Sequence, residues 1–215
     1  MLSSAIIPLW FVGYNIALEF LFALVSFAVS HYAFKVHRIS MQRPARLFGF
    51  AFLFIGIAYV VQSLLNLGIV EYFGRNAYAL YVSGIYIHMA LWVVALTALS
   101  YVACKSENRQ FYLLILTILL LSIFFSANGG FLFYLLSSLL LVFISVFYFQ
   151  NYMKNRQLNT MLILMAFLFL LFGKIHFLFA LDHGTYYVVG HVLELAAYLL
   201  ILANLILVLR HDKKA

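Results

Sequence analysis

Apolar runs long enough to cross a bilayer recur along this chain and leave almost nothing between them. They lie near residues 8–34, 46–67, 78–104, 111–127, 130–150, 158–181 and 185–209, and a helix needs about 17 to 25 such residues to span the hydrocarbon core. The expectation is an all-α integral membrane protein of about seven transmembrane helices forming a single domain over residues 1–215. A composition 67% hydrophobic and 9% charged, with a mean hydropathy of +1.09, excludes an ordinary water-soluble domain. The connections are short and polar, holding Pro44, the stretch 71–76 and Asn128-Gly129-Gly130, so no soluble domain fits between the spans.

Basic residues orient the chain. Lys35, Arg38, Arg43, Arg46, Lys105, Arg109, Lys154, Arg156, Arg210, Lys213 and Lys214 all fall on one side of the reading, whereas the opposite connections offer only Arg75. By the positive-inside rule this predicts an extracytoplasmic N-terminus and a cytoplasmic C-terminus, most simply in the plasma (cytoplasmic) membrane. The net charge of +7 then reports topology, and no nucleic-acid partner is expected from charges dispersed over four short segments. The first span lacks a basic leader and is expected to remain as an anchor. Cys104 stands alone, so an intrachain disulfide and a cysteine-based metal site are both excluded.

Two short echoes suggest an internal repeat. Ala51-Phe52-Leu53-Phe54 recurs as Ala166-Phe167-Leu168-Phe169, and Tyr81-Val82-x-Gly84 as Tyr187-Val188-x-Gly190. They fit a three-plus-one-plus-three plan in which spans one to three match five to seven. That plan resembles the layout of the SWEET sugar transporters and the KDEL receptor, also seven-span chains of about this length. The resemblance is one of layout, because the Pro-Gln pair found in many of those proteins is replaced here by Pro44-Ala45.

Function is expected where ionisable groups enter the apolar spans. Glu19, His88, Lys174, His176, His191 and Glu194 all fall in the same, outer half of the membrane, where an unpaired charge costs a few kcal/mol or more. Helical spacing puts Asn15, Glu19, Ser26 and Ser30 on one stripe, Tyr59, Gln62, Ser63 and Asn66 on another, and Tyr187, His191, Glu194 and Tyr198 on a third. Gly84, in line with His88, makes room for a neighbour or a ligand. Lys174 and His176 lie about 200° apart around a helix and cannot both face one narrow site. Lys174 is expected inward, because an ammonium needs a counter-charge, whereas a neutral imidazole can satisfy itself on a backbone carbonyl.

The expected ligand-binding set is therefore Glu19, Tyr59, Gln62, His88, Lys174, His191, Glu194 and Tyr198, on spans one, two, three, six and seven. Spans four and five, uncharged between Phe111 and Gln150, are expected to serve as scaffold and lipid contact. Such a pocket would hold a small polar or ionic ligand in a sensor, receptor or accessory subunit, working with a membrane or cytoplasmic partner protein. A small-solute or proton-coupled transporter is the alternative. A third reading is an enzyme. His88, His191 and Glu194 would form a His-His-carboxylate metal set, or His88 and His191 would face each other across a haem.

Overall fold

The computed structural model describes residues 9–71, 75–104, 108–180 and 183–212, with side chains described outside positions 9, 69–71, 75–80 and 209–212. Over these residues the chain is helical. A short 3-10 turn, Leu9–Phe11, leads into α1 (Val12–Ser40), followed by α2 (Arg43–Glu71), α3 (Arg75–Cys104), α4 (Arg109–Phe125), α5 (Gly129–Asn155), α6 (Leu158–Phe179) and α7 (Gly184–Asp212). The helices begin and end within a few residues of the apolar runs. Most overrun them, because hydropathy marks only the part matched to hydrocarbon while hydrogen bonding continues through polar turns such as Lys35–Ser40.

Among the described residues, six helices are long and apolar enough to cross a bilayer. The seventh, α4, has 17 residues, or about 25 Å against a hydrocarbon core of about 30 Å. Its ends nevertheless match those of its neighbour. Tyr112 packs edge-on against Tyr101, and Phe124 stacks on Tyr86, so α4 runs antiparallel to α3 along most of its length.

Packing closes the other six helices into a ring. Each touches the next in the order α1, α2, α3, α5, α6, α7, and α7 returns to α1, while α4 lies outside against α3 and α5. Sequential neighbours are antiparallel, as Ser30 of α1 shows by donating to the Gly49 carbonyl of α2. The closing pairs are parallel: Asn15 and Phe22 of α1 meet Tyr187 and Tyr198 of α7 in the same order, as Tyr86 and His88 of α3 meet Gly129 and Phe133 of α5.

The ring is filled by Trp92, Phe22, Phe52, Phe133, Phe167 and Tyr198. Outside it, Leu24, Leu64, Ile87, Leu113, Leu139, Val192 and Leu199 are exposed. A girdle of large aliphatic side chains around every face suits contact with lipid and not with water. Lys35, Arg38, Arg43, Arg46, Arg109, Lys154 and Arg156 are exposed together at the end where α1, α3 and α5 finish.

Two connections at that basic end share one construction. Met41 and Arg156 take the left-handed conformation, with φ of 54° and 48°, and return their N–H groups to His37 and Tyr152. Each is followed by one glutamine before the next helix starts. A left-handed residue satisfies the last carbonyls of a helix and turns the chain sharply.

A close backbone approach joins α6 and α7. A Cβ added to Gly173 would lie 3.2 Å from the Gly190 carbonyl oxygen and 3.4 Å from Glu194 Cγ, so a small residue is what lets the two backbones approach. Gly84 is filled differently: the Leu65 side chain of α2 rests on it, making it a seat for a neighbour. Gly173→Leu should force α6 from α7 and lower stability by about 1–3 kcal/mol, read as a reduced melting temperature of the detergent-solubilised protein. An unchanged melting temperature would show that this contact is not tight.

Candidate functional site

The α6–α7 approach sets Lys174 against Glu194. Lys174 Nζ donates to Glu194 Oε1 at 2.6 Å, and the two residues are 3% and 1% exposed, deep enough that neither charge would be tolerated alone. On the other oxygen, Tyr59 O–H donates at 2.9 Å from α2, backed by Tyr198 O–H at 3.4 Å from the Tyr59 oxygen. The ammonium also stands 3.9 Å from the centre of the Trp92 ring of α3, with Phe177 and Phe133 at 5.3 and 5.9 Å. An aromatic face attracts a desolvated cation by about 2 kcal/mol. Lysine, glutamate, tyrosine and tryptophan thus tie four helices together at one point.

Glu19 is held in another way. Asn66 Nδ2 of α2 lies 2.8 and 2.9 Å from its two oxygens and Asn15 Nδ2 2.9 Å from Oε1, while Tyr187 O–H of α7 braces Asn15 through Oδ1 at 3.0 Å. Neutral amides satisfy this carboxylate, and among the described residues no cationic side chain pairs with it. Glu194 therefore takes the lysine, although sequence depth allowed either glutamate to do so.

The histidines differ as well. His88 Nδ1 is 2.9 Å from the Ala58 carbonyl, which can only accept, so Nδ1 carries the hydrogen and Nε2 is left as an acceptor. His191 is 5% exposed and packed among Phe22, Phe177 and Tyr187. Its Nδ1 is 3.6 Å from Glu194 Oε2, beyond good hydrogen-bond length. Its Nε2 has no partner among the described residues. His176 turns away and sits on the Phe172 carbonyl at 2.7 Å, leaving the inward position to Lys174.

A cavity of about 160 Å³ lies between the ring helices at the end opposite the basic cluster, and Glu19, Gln62, His88, Lys174, His191 and Glu194 all face it. Tyr59, Tyr81, Phe133, Tyr134, Phe177 and Tyr187 form its aromatic walls. A volume of this order holds several waters or a solute of a few heavy atoms.

Four expectations need correction. Helix α5 is not only scaffold: Gly130, Phe133 and Tyr134 line the cavity, and they escape a search for charges because they contribute rings. Tyr198 does not reach the cavity; one turn beyond Glu194, it lies fully buried behind Tyr59. His88, His191 and Glu194 do not converge as metal ligands, and no three His, Cys, Asp or Glu among the described residues do. The Glu194 oxygens are taken by Lys174 and Tyr59, and a cation at 2.6 Å opposes a metal there. For haem, the cavity of about 160 Å³ that His88 and His191 both line is too small for a porphyrin.

Trp92, Asn66 and Asn15 carry more of the site than sequence reasoning assigned them. Trp92 follows His88 by four residues and so shares its face, a signal that would have found it.

Comparison with protein-family models, curated proteins and solved structures finds no match.

Lys174→Met should destabilise the protein by about 3–5 kcal/mol, because it strands Glu194 in a dry site. Adding Glu194→Gln should recover part of the loss, since the double variant buries no unpaired charge. Thermal unfolding of the two single variants and the double variant measures this coupling, and strict additivity would show that the pair does not act as a unit.

Proposed function

We propose that this multi-pass membrane protein binds a small polar or ionic solute in the cavity beside the Lys174–Glu194 pair, and that it acts as a sensor, receptor or accessory subunit. The observation that carries this reading is His191, a buried side chain facing the cavity with Nε2 unpartnered. A merely structural polar cluster would be expected to satisfy its own members, because a buried unpaired polar group costs about 1–3 kcal/mol. Lys174 serves as counter-ion and fixed cation, and Glu194 and Tyr59 hold it in place. Glu19, Gln62, His88 and His191 are the groups available to a solute.

In this reading the chain crosses the plasma membrane seven times, with its basic end in the cytoplasm and the cavity toward the outside. Clustering of the exposed Lys and Arg side chains at one end of the bundle supports that orientation. A partner protein docked at the cytoplasmic face or against the spans would carry the output.

A transporter is the second reading, and one pattern favours it. At the offset that aligns Ala51–Phe54 with Ala166–Phe169, Met41 aligns with Arg156, Glu19 with Tyr134, and Tyr59 with Lys174. At the offset that aligns Tyr81 with Tyr187, His88 aligns with Glu194. Two parallel three-helix halves meeting at a central site, with α4 as linker, would account for the shared turn and the equivalent positions, and transporters commonly place substrate between such repeats.

Two experiments test these readings. In a Cys104→Ser background, Asn128→Cys should react with an impermeant maleimide on intact cells and Arg156→Cys only after permeabilisation; the reverse pattern would invert the orientation. For the site, purified protein should show a saturable rise in melting temperature with at least one of acetate, glycerol and methylammonium, and His191→Phe should abolish it while remaining folded. No shift with any probe, or a shift indifferent to His191→Phe, would refute binding at this cavity. Uptake of the stabilising solute into sealed vesicles distinguishes transport from sensing.

A further inference from the structure

We infer that the solute is a small protonated amine, its charge met by Glu19 and its N–H groups by acceptors of the cavity wall such as the free nitrogen of a cavity histidine. The inference rests on the binding reading above and names its ligand class. Two independent features lead to it, the charge count of the cavity and the hydrogen-bonding character of the groups left unspent.

The buried acidic and cationic side chains facing the cavity are Glu19, Glu194 and Lys174. Lys174 is committed to Glu194 at 2.6 Å, so Glu19 has no cationic partner among the described residues and would carry an uncompensated negative charge when ionised. Its contacts run from the Asn66 and Asn15 Nδ2 atoms, and N–H donors on both oxygens are what an ionised carboxylate needs. Amides supply no charge, however, and a carboxylate at this depth calls for a cation.

The remaining polar groups point to the same class. Lys174 gives one N–H and Tyr59 its O–H to Glu194, and the amide nitrogens of Asn15 and Asn66 donate to Glu19. The histidines present the opposite character. With its hydrogen on Nδ1 against the Ala58 carbonyl, His88 turns an acceptor Nε2 toward the cavity. Neither ring nitrogen of His191 is hydrogen-bonded among the described residues; Nδ1 is the one nearer the Glu194 carboxylate, at 3.6 Å, which favours the hydrogen there and leaves Nε2 as the acceptor. One carboxylate and two imidazole lone pairs suit a ligand that donates, and the Gln62 carbonyl on the same wall can accept from it as well.

An alkali or alkaline-earth ion fits less well, because it takes about six or more oxygen ligands, while much of this wall is aromatic. Tyr134, Phe177 and Tyr187 are suited to the methylene or methyl group of an amine and attract its charge by cation–π contact. The cavity volume of about 160 Å³ admits an amine of a few heavy atoms.

The test is equilibrium binding of radiolabelled methylammonium to the purified full-length protein in lipid nanodiscs. Saturable binding should be displaced by ethylammonium and not by sodium or tetramethylammonium, which is a cation without N–H groups. Glu19→Gln, checked for fold by its melting temperature, should weaken binding by about thirtyfold or more. If that variant does not fold, the competition series on the native protein decides alone. Equal displacement by sodium or tetramethylammonium, or no saturable methylammonium binding, would overturn the inference. If methylammonium fails while acetate or glycerol gives a shift that His191→Phe abolishes, the binding reading survives without the amine; if every probe fails, both fall.

Discussion

A charge in hydrocarbon must find its partner inside the protein, and here that constraint acts through Lys174. Its ammonium lies where water is scarce, so the structure supplies a carboxylate from α7 and an aromatic face from α3, while a tyrosine from α2 completes the shell of the carboxylate. Each contact fixes which side of a helix turns inward. The close approach at Gly173 and Gly190 serves the same end, because a bulkier residue there would hold α6 too far from α7 for a short ion pair. Packing and electrostatics are coupled at this point.

Polar groups at the two ends of the bundle are used differently. Toward the basic end, Ser30 closes a bond to the Gly49 carbonyl, and Thr97 and Ser100 return theirs to Val93 and Leu96 of their own helix. The first joins α1 to α2, and the other two satisfy themselves within α3. Around the cavity no cation pairs with Glu19 among the described residues and the His191 ring nitrogens stay free, with Glu19, His88 and His191 facing one small volume. That imbalance underlies the proposed binding of a donor cation, and it arises from ordinary pairing rules applied to residues drawn from the whole ring.

How far the site could be read in advance depended on the kind of residue. Lys174 was assigned inward and His176 outward from a two-residue spacing and the relative cost of the two side chains, and the structure places them so. Glu19, Gln62, His88, His191 and Glu194 share the cavity because helical periodicity had already put each on a polar face. Periodicity failed for Tyr198, which lies on the right face of α7 but too deep. It gave no warning of Phe133 and Tyr134, since in an aromatic-rich apolar helix a ring against a cavity looks like a ring against lipid. The proposed metal set failed for a related reason. Residue type and spacing did not reveal that Ala58 holds His88 Nδ1 or that Lys174 and Tyr59 occupy the Glu194 oxygens.

The sequence by itself determined the class of protein, the number and approximate limits of its helices, and the polar stripe on several of them. These follow from local properties: the length of an apolar run, the 3.6-residue repeat and the cost of burying charge. Only the tertiary structure decided that six helices close a ring with α4 outside, that Lys174 chooses Glu194 while amides hold Glu19, and that Trp92 and α5 complete the cavity. The reason is geometric. Periodicity fixes directions around one helix axis, whereas the partner each direction meets depends on the rotation, depth and order of helices distant in sequence, and those are set by side-chain packing across the whole bundle.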